Sequence, residues 1–374
     1  MKKLLFIFGT RPETIKVAPV IRCFRSAGRD RYDVKVCTTG QHREMLAQTM
    51  RFFDLTADFP LDIMRDSQTL FDITTAALTK LQPVFDAYTP DMVLVQGDTT
   101  TTFAGALAAF YNKCPVAHIE AGLRTGDRYS PFPEEINRKM TTAIAQLHLA
   151  STGAAAANLA REGVTRDVHV TGNTVIDALR IASSVVETAP YTGLARKYPD
   201  LDATARFVLV TGHRRESFGD GFRDICAALR KLALGNPDVR FVYPVHLNPA
   251  VREPVYAALS ALPNVFLTAP VDYPELVWLL KRCRLVLTDS GGIQEEAPAF
   301  GKPVLVMRRV TERMEGVTAG TAKLVGTDTA VIVREVQTLL DDPAAYAAMA
   351  QAVNPYGDGT ASERIRRIVT DYFA

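Results

Sequence analysis

The amino-acid sequence predicts an α/β fold made of two doubly wound, Rossmann-like domains, and three observations carry that expectation. Short apolar runs alternate with stretches that read as helices, the pattern of parallel sheets covered on both faces. The pattern stops in a polar, proline-bearing segment, residues 191–200, and restarts at Phe207. The glycine-rich and charged turns fall where apolar runs end, at the carboxyl ends of strands, where open α/β sheets meet their ligands.

Composition narrows the classes. At 374 residues the chain is long enough for two domains of ordinary size, and 47% hydrophobic with 22% charged residues is an ordinary globular balance. A formal net charge of +2 gives no electrostatic case for a nucleic-acid partner. The opening Met-Lys-Lys precedes only five apolar residues, Leu4–Phe8, too short a core for a secretory leader. No apolar stretch approaches the roughly 20 residues of a spanning helix, so no membrane association is expected. The five cysteines are scattered and lack metal-type spacing, which reads as reduced thiols in a cytoplasmic protein. The six histidines form no metal-binding pattern, and no metal is expected.

In chain order, Leu4–Phe8 reads as the first strand. Pro12 suits a first helical position, and the helix runs from Glu13 to about Ser26. Arg11 and Lys16 lie at its start, where cations oppose the helix dipole. An anion bound between them explains that placement; a charge pair with Glu13 is the plainer alternative. Asp33–Thr38 is a second strand, followed by Gly40-Gln41-His42-Arg43-Glu44 and a helix. After a helix at about 68–88, the strand Met92–Gln96 runs into Gly97-Asp98-Thr99. Asp98 can cap the next helix, but so can the threonines after it. Pro115–Ile119 ends at Glu120, a carboxylate at a strand's carboxyl end. Pro133 opens a helix with Glu134 and Glu135 in its first turn. There Glu134 has a plain reading as a dipole partner and as an i,i+4 pair with Arg138. Leu147–Ala150 and Val168–Thr171 complete a sheet of about seven strands.

In the second half, strands are expected at Phe207–Thr211, Arg240–Val245, Val265–Leu267, Leu285–Leu287 and Pro303–Met307. Leu285–Leu287 feeds the turn Asp289-Ser290-Gly291-Gly292 and a helix. The Gly291 and Gly292 N–H groups then sit at a helix N-terminus that favours phosphate, with Glu296 one turn on to reach a ribose hydroxyl. The plain alternative makes Ser290 only a cap. No GxGxxG follows a strand and no GxxxxGK[ST] occurs, which sets aside a dinucleotide cofactor and an ATP γ-phosphate.

The strings Gly9-Thr10-Arg11-Pro12-Glu13, Gly97-Asp98-Thr99-Thr100-Thr101, Glu120-Ala121-Gly122-Leu123-Arg124-Thr125 and Pro133-Glu134-Glu135-Ile136-Asn137-Arg138 continue in the second half. There they are joined by Thr211-Gly212-His213-Arg214-Arg215-Glu216, Asp289-Ser290-Gly291-Gly292-Ile293-Gln294-Glu295-Glu296 and Thr311-Glu312-Arg313. In this order, over essentially the whole chain, they resemble the non-hydrolysing UDP-N-acetylglucosamine 2-epimerases. The resemblance implies the GT-B architecture, two domains facing a cleft with the last helix crossing back to the first. The expected domains are then residues 1–172 with a helix at about 360–374, and residues 173–359. It implies Asp98, Glu120 and Glu134 as catalytic carboxylates, with His213 and Arg138 beside them. It also implies a UDP-binding set of Arg11, Lys16, His213, Ser290, Gly291, Gly292, Glu296 and Arg313. Gln41, His42 and Arg43 resemble the border of a second, regulatory sugar-nucleotide site. UDP-N-acetylglucosamine and UDP are the implied partners, with no cofactor, in a homodimer.

The implied reaction inverts C2, a carbon not adjacent to a carbonyl, whose proton is not acidic enough to remove directly. Oxidation at C3 needs a nicotinamide. Elimination of UDP to a glycal, followed by re-addition, needs acid/base groups for both faces and a cationic clamp on the diphosphate. A retaining glycosyltransferase of the same fold, a hydrolysing epimerase and a non-catalytic sugar-nucleotide sensor are the other classes. A sensor has no need for Asp98, Glu120 and Glu134 together.

Overall fold

Apolar runs buried on both faces build two separate parallel sheets. The computed structural model describes residues 1–374 except 29, 41–42, 66, 189–190, 199–200 and 202–205. Residues Met1–Ala178 and Tyr356–Ala374 form one unit, and Leu179–Pro355 form the other. The division falls inside the helix Thr174–Val185.

The first sheet holds β1 (Lys2–Phe8), β2 (Tyr32–Thr38), β3 (Phe59–Pro60), β4 (Met92–Gln96), β5 (Val116–Ala121), β6 (Leu147–Ala150) and β7 (Val168–Val170). They lie in the order β3-β2-β1-β4-β5-β6-β7, every pair parallel. Leu4, Leu5, Phe6, Ile7 and Phe8 are fully buried, as a central strand with helices on both faces requires. On one face Leu5, Ile7, Val93 and Val95 pack against Leu81, Phe85 and Ala109. The chain runs outward from β1 to β3, then returns to place β4 against the other side of β1. Strand order therefore reverses between β1 and β4, and a crevice opens at their carboxyl ends.

The second sheet holds β8 (Phe207–Thr211), β9 (Arg240–Pro244), β10 (Val265–Thr268), β11 (Leu285–Thr288), β12 (Val304–Val306) and β13 (Ala322–Leu324), in the order β10-β9-β8-β11-β12-β13. Its reversal lies between β8 and β11. Val208, Val210 and Phe241 pack against Phe222, Leu229 and Ile332 on one face, and Leu209, Val286 and Val304 against Trp278, Leu279 and Ile293 on the other.

Two edge strands, β3 and β13, appear where none was expected, and β5 continues through Glu120 to Ala121 instead of ending at Ile119. The first helix, Arg11–Ser26, begins with Arg11 itself. Thr10 caps it through a reciprocal bond with Glu13, which moves the start two residues ahead of the expected one.

The helix Ala361–Tyr372 belongs to the first unit, although the whole second unit precedes it in the chain. Ile365 and Val369 are fully buried, and Thr370 meets the Tyr32 hydroxyl at 2.6 Å. Its own N-cap residue, Thr360, makes no side-chain cap bond. Asp177, from the helix Thr174–Val185, accepts the Ala361 and Ser362 N–H groups at 3.2 and 2.8 Å, so the cap comes from a distant residue. Asp177→Ala strands two buried donors at a cost of about 1–3 kcal/mol. The expected result is faster amide exchange across residues 361–372, measured by mass spectrometry, with residues of the second unit unchanged.

Candidate active site

The first cluster sits at the carboxyl ends of β1, β4 and β5, beside the strand-order reversal. Glu13 is buried in the first turn of the first helix. Its Oε2 accepts the Gly9 and Thr10 N–H groups at 3.0 and 2.8 Å, and its Oε1 accepts the Thr99 hydroxyl at 2.8 Å. Burial pushes its carboxyl above the usual range, against the pull of these donors. Both oxygens thus go to the loops after β1 and β4, and the charge pair with Arg11 offered as the plainer reading is not made.

Thr99, not Asp98, caps the helix Thr100–Tyr111, accepting from the Thr102 N–H. The Asp98 carboxylate is instead bound by Arg138, whose Nε and Nη2 reach Oδ2 at 3.0 and 2.7 Å. Arg138 turns its Nη1 to Glu135 Oε2 at 2.9 Å. Glu135 has no exposed surface and also accepts the Thr125 and Gly126 N–H groups at 3.1 and 3.2 Å. The expected i,i+4 pair of Glu134 with Arg138 is therefore absent, because a tertiary contact to Asp98 and an i,i+3 contact to Glu135 use the guanidinium. Glu134 opens the helix Glu134–Ile144, and its Oε2 is buried with no hydrogen-bond partner among the described residues. An acceptor without a donor is a poor structural element and a free one for a ligand proton.

Glu120 carries φ +66°, the left-handed region, at a register shift between Ile119 and Ala121. That conformation costs a non-glycine residue about 1–2 kcal/mol. It aims the carboxylate at Lys16 Nζ, 2.6 Å from Oε1, and at Gln96 Nε2. Lys16 thus has an ion-pair partner within the first unit, contrary to the expectation of a partnerless cation at the helix start. Two residues on, Gly122 has φ +88°, and a Cβ there would lie 2.3 Å from the Ala155 carbonyl, so only glycine fits. Behind the loop, the buried His118 imidazole meets the Gly97 carbonyl at 2.7 Å. Burial lowers it to about 4, so it is neutral at physiological pH and holds the turn before Asp98 by donating Nε2–H.

The second cluster flanks the reversal between β8 and β11. Asp289 Oδ2 accepts the His213 and Arg214 N–H groups at 2.7 and 2.8 Å, tying the loop after β8 to the turn after β11. The exposed His213 ring stacks on His246 with centroids 5.4 Å apart. Ser290 occupies the N-cap position of Gly291–Glu296, but its side chain makes no cap bond, so the plain capping role is not filled. Gly292 is exposed, and Glu296 lies buried one turn on. The helix ends in a tighter turn, Ala297–Phe300, closed by left-handed Gly301.

Arg313 stands over the start of the helix: a Cβ on Gly291 would lie 3.5 Å from its guanidinium carbon. Alternating charges run through it. Glu216, Arg308, Glu312, Arg313 and Glu295 are joined in series at 2.7, 2.9, 3.0 and 2.9 Å. Burial raises the Glu312 carboxyl, but the Arg313 and Arg308 charges outweigh it and hold the group at about 2. Of the expected regulatory loop, Gln41 and His42 lie outside the described residues, and Arg43 opens the helix Arg43–Phe52.

Fold and clusters define an α/β protein of two doubly wound parallel sheets, each with charged groups at its strand-order reversal. A family model described as UDP-N-acetylglucosamine 2-epimerase matches residues 25–370. The UDP-N-acetylglucosamine 2-epimerase of Salmonella typhimurium is 52% identical over 99% of both chains. The Neisseria meningitidis UDP-GlcNAc 2-epimerase, crystallised bound to UDP-GlcNAc, is 46% identical with a TM-score of 0.91, covering 99% of this chain and 100% of that one. The S. aureus protein MnaA, solved with UDP, is 46% identical with a TM-score of 0.88, covering 100% of this chain and 97% of that one. The chain belongs to the UDP-N-acetylglucosamine 2-epimerase family.

The Glu312 carboxyl lies lower in the folded chain than in the unfolded one, so its stabilisation is complete above the ordinary carboxylate range and is lost as pH falls toward 2. Unfolding by denaturant, followed at Trp278 in the second unit, is expected to lose about 3 kcal/mol between pH 5 and 2 from this group. Glu312→Gln is expected to remove that part of the slope.

Proposed function

We propose that this protein interconverts UDP-N-acetylglucosamine and UDP-N-acetylmannosamine by eliminating UDP and adding it back. Epimerisation at C2 is the activity that family membership supports, and the elimination route is our reading of the residues. A carboxylate takes the C2 proton while the C1–O bond breaks and its electron pair leaves with UDP, forming 2-acetamidoglucal. A second acid returns a proton to the opposite face of C2 as a UDP oxygen re-attacks C1. Asp98, Glu120 and Glu134 are the proton-transfer groups in this reading. Arg138 holds Asp98, and Lys16 holds Glu120. Arg11, Lys16, His213 and Arg313, with the Gly291 and Gly292 N–H groups, neutralise the leaving diphosphate, and Ser290 and Glu296 bind beside it.

The observation that carries the proposal is that the plain structural roles fail for Asp98 and Glu134. Thr99 takes the cap from Asp98, Glu134 makes no pair with Arg138, and Glu120 sits in a costly backbone conformation. An unfilled cap role, a buried carboxylate oxygen with no donor among the described residues and a strained backbone together support a functional reading.

Incubation with UDP-N-acetylglucosamine in D2O, followed by NMR, is expected to give UDP-N-acetylmannosamine with deuterium at C2. Retention of the original proton, or a requirement for NAD, overturns the elimination route. Asp98→Asn, Glu120→Gln and Glu134→Gln are expected to keep near-native melting curves and lose on the order of 10²-fold or more in rate. Near-normal turnover with a lowered melting temperature removes that residue from the catalytic set. Arg313→Ala is expected to weaken UDP binding by about tenfold or more in calorimetry, the value of one charge-assisted bond.

A further inference from the structure

We infer that Gln96 is a positioning residue for the epimerisation chemistry, its side-chain amide fixing the Glu120 carboxylate in its reactive place. The inference rests on the reading of Glu120 as a proton-transfer group. Gln96 ends β4, after the wholly apolar Met92-Val93-Leu94-Val95, and only 3% of its surface is exposed. A buried amide at that position needs partners. Its Nε2 donates to Glu120 Oε2. The opposite amide orientation would set a carbonyl oxygen against a carboxylate oxygen, so the contact itself selects the donor. The Gln96 backbone is held in turn, its carbonyl accepting the Thr102 hydroxyl at 2.6 Å.

The geometry around Glu120 explains why a second tether is needed. Lys16 reaches from the first helix and holds Oε1 at 2.6 Å. The backbone at Glu120 is left-handed and off the strand ladder, so regular strand geometry does not aim the side chain. Gly97 turns at φ +75°, and a Cβ there would lie only 3.9 Å from Glu120 Oε2, so the carboxylate lies close over the turn. Lys16 anchors the first oxygen of the carboxylate through a long, flexible side chain. Gln96 fixes its second oxygen from a strand end. A neutral donor there also differs chemically from a cation. It supplies geometry without adding a second positive charge, which would weaken the carboxylate as a base. A displacement of about 1 Å at a reacting group costs on the order of 10²-fold in rate.

The test uses the full chain with Gln96→Leu, Gln96→Glu and Gln96→His. Steady-state epimerisation, UDP calorimetry and melting curves are measured for each. The Leu and Glu variants are expected to lose kcat by about tenfold or more, with KM and UDP affinity within about threefold. The His variant keeps an N–H donor and is expected to recover part of the lost kcat. If the Leu variant fails to fold, the near-isosteric Glu variant carries the same test. Unchanged kcat in the folded variants overturns the inference. So does a loss shared equally by KM and kcat that tracks a lowered melting temperature, because that is structural damage alone. An inactive wild type overturns the epimerase reading and this inference with it. An active wild type beside unimpaired variants overturns this inference alone.

Discussion

The buried Glu13 carboxylate is the interaction on which the first unit's carboxyl edge depends. Parallel strands all end at one side, and that side exposes loops whose backbone donors have no sheet partner. Glu13 meets the need for two loops at once, accepting Gly9 and Thr10 after β1 and Thr99 after β4. The same residue completes the cap of the first helix and so fixes where Arg11 and Lys16 emerge. Desolvating a carboxylate is costly, and four donors, from Gly9, Thr10, Thr99 and Thr102, offset that cost. A chain of dependence follows: Glu13 sets Thr99, Thr99 frees Asp98 from capping, and Asp98 is then available to Arg138.

The second unit solves the same problem with different residues. Asp289 plays the bridging part, joining the loop after β8 to the turn after β11. The alternating series from Glu216 to Glu295 then supports Arg313 over Gly291. Each inner charge has an opposite neighbour on two sides, which limits the desolvation cost of burying it. Two sheets of similar topology thus carry different groups at the same topological position, a set of carboxylates in one and an arginine beside a glycine turn in the other. That is the usual division of labour between a fold and its loops.

Much of this was legible in the sequence, for a physical reason. Buried central strands must be continuously apolar, so β1, β4, β8 and β11 announce themselves, and the loops after them are marked by glycine and charge. The edge strands β3 and β13 span two and three residues, too few to show any period. Local rules failed where tertiary contacts outbid them. The i,i+4 rule pairs Arg138 with Glu134, but Asp98, forty residues away in sequence, offers a closer carboxylate. Glu135 looks like an ordinary first-turn acid, and its role depends on the path of residues 125–126, which no spacing encodes. Nothing in a glutamate signals φ +66°, so the backbone conformation at Glu120 could not be read. Gln96 reads only as the polar end of a strand until its partner is placed.

The return of the helix Ala361–Tyr372 to the first unit has a consequence for biogenesis. During translation, residues 1–178 leave the ribosome long before residues 356–374 are made. The first helix then has an apolar side with no cover, and Asp177 has no helix start to cap. The intervening unit, Leu179–Pro355, has all of its own sequence at an earlier moment. The usual vectorial order, in which the amino-terminal domain matures first, is inverted here. The first domain to emerge is the last to be completed. A premature stop shortly before residue 356 therefore damages the unit that was synthesised first.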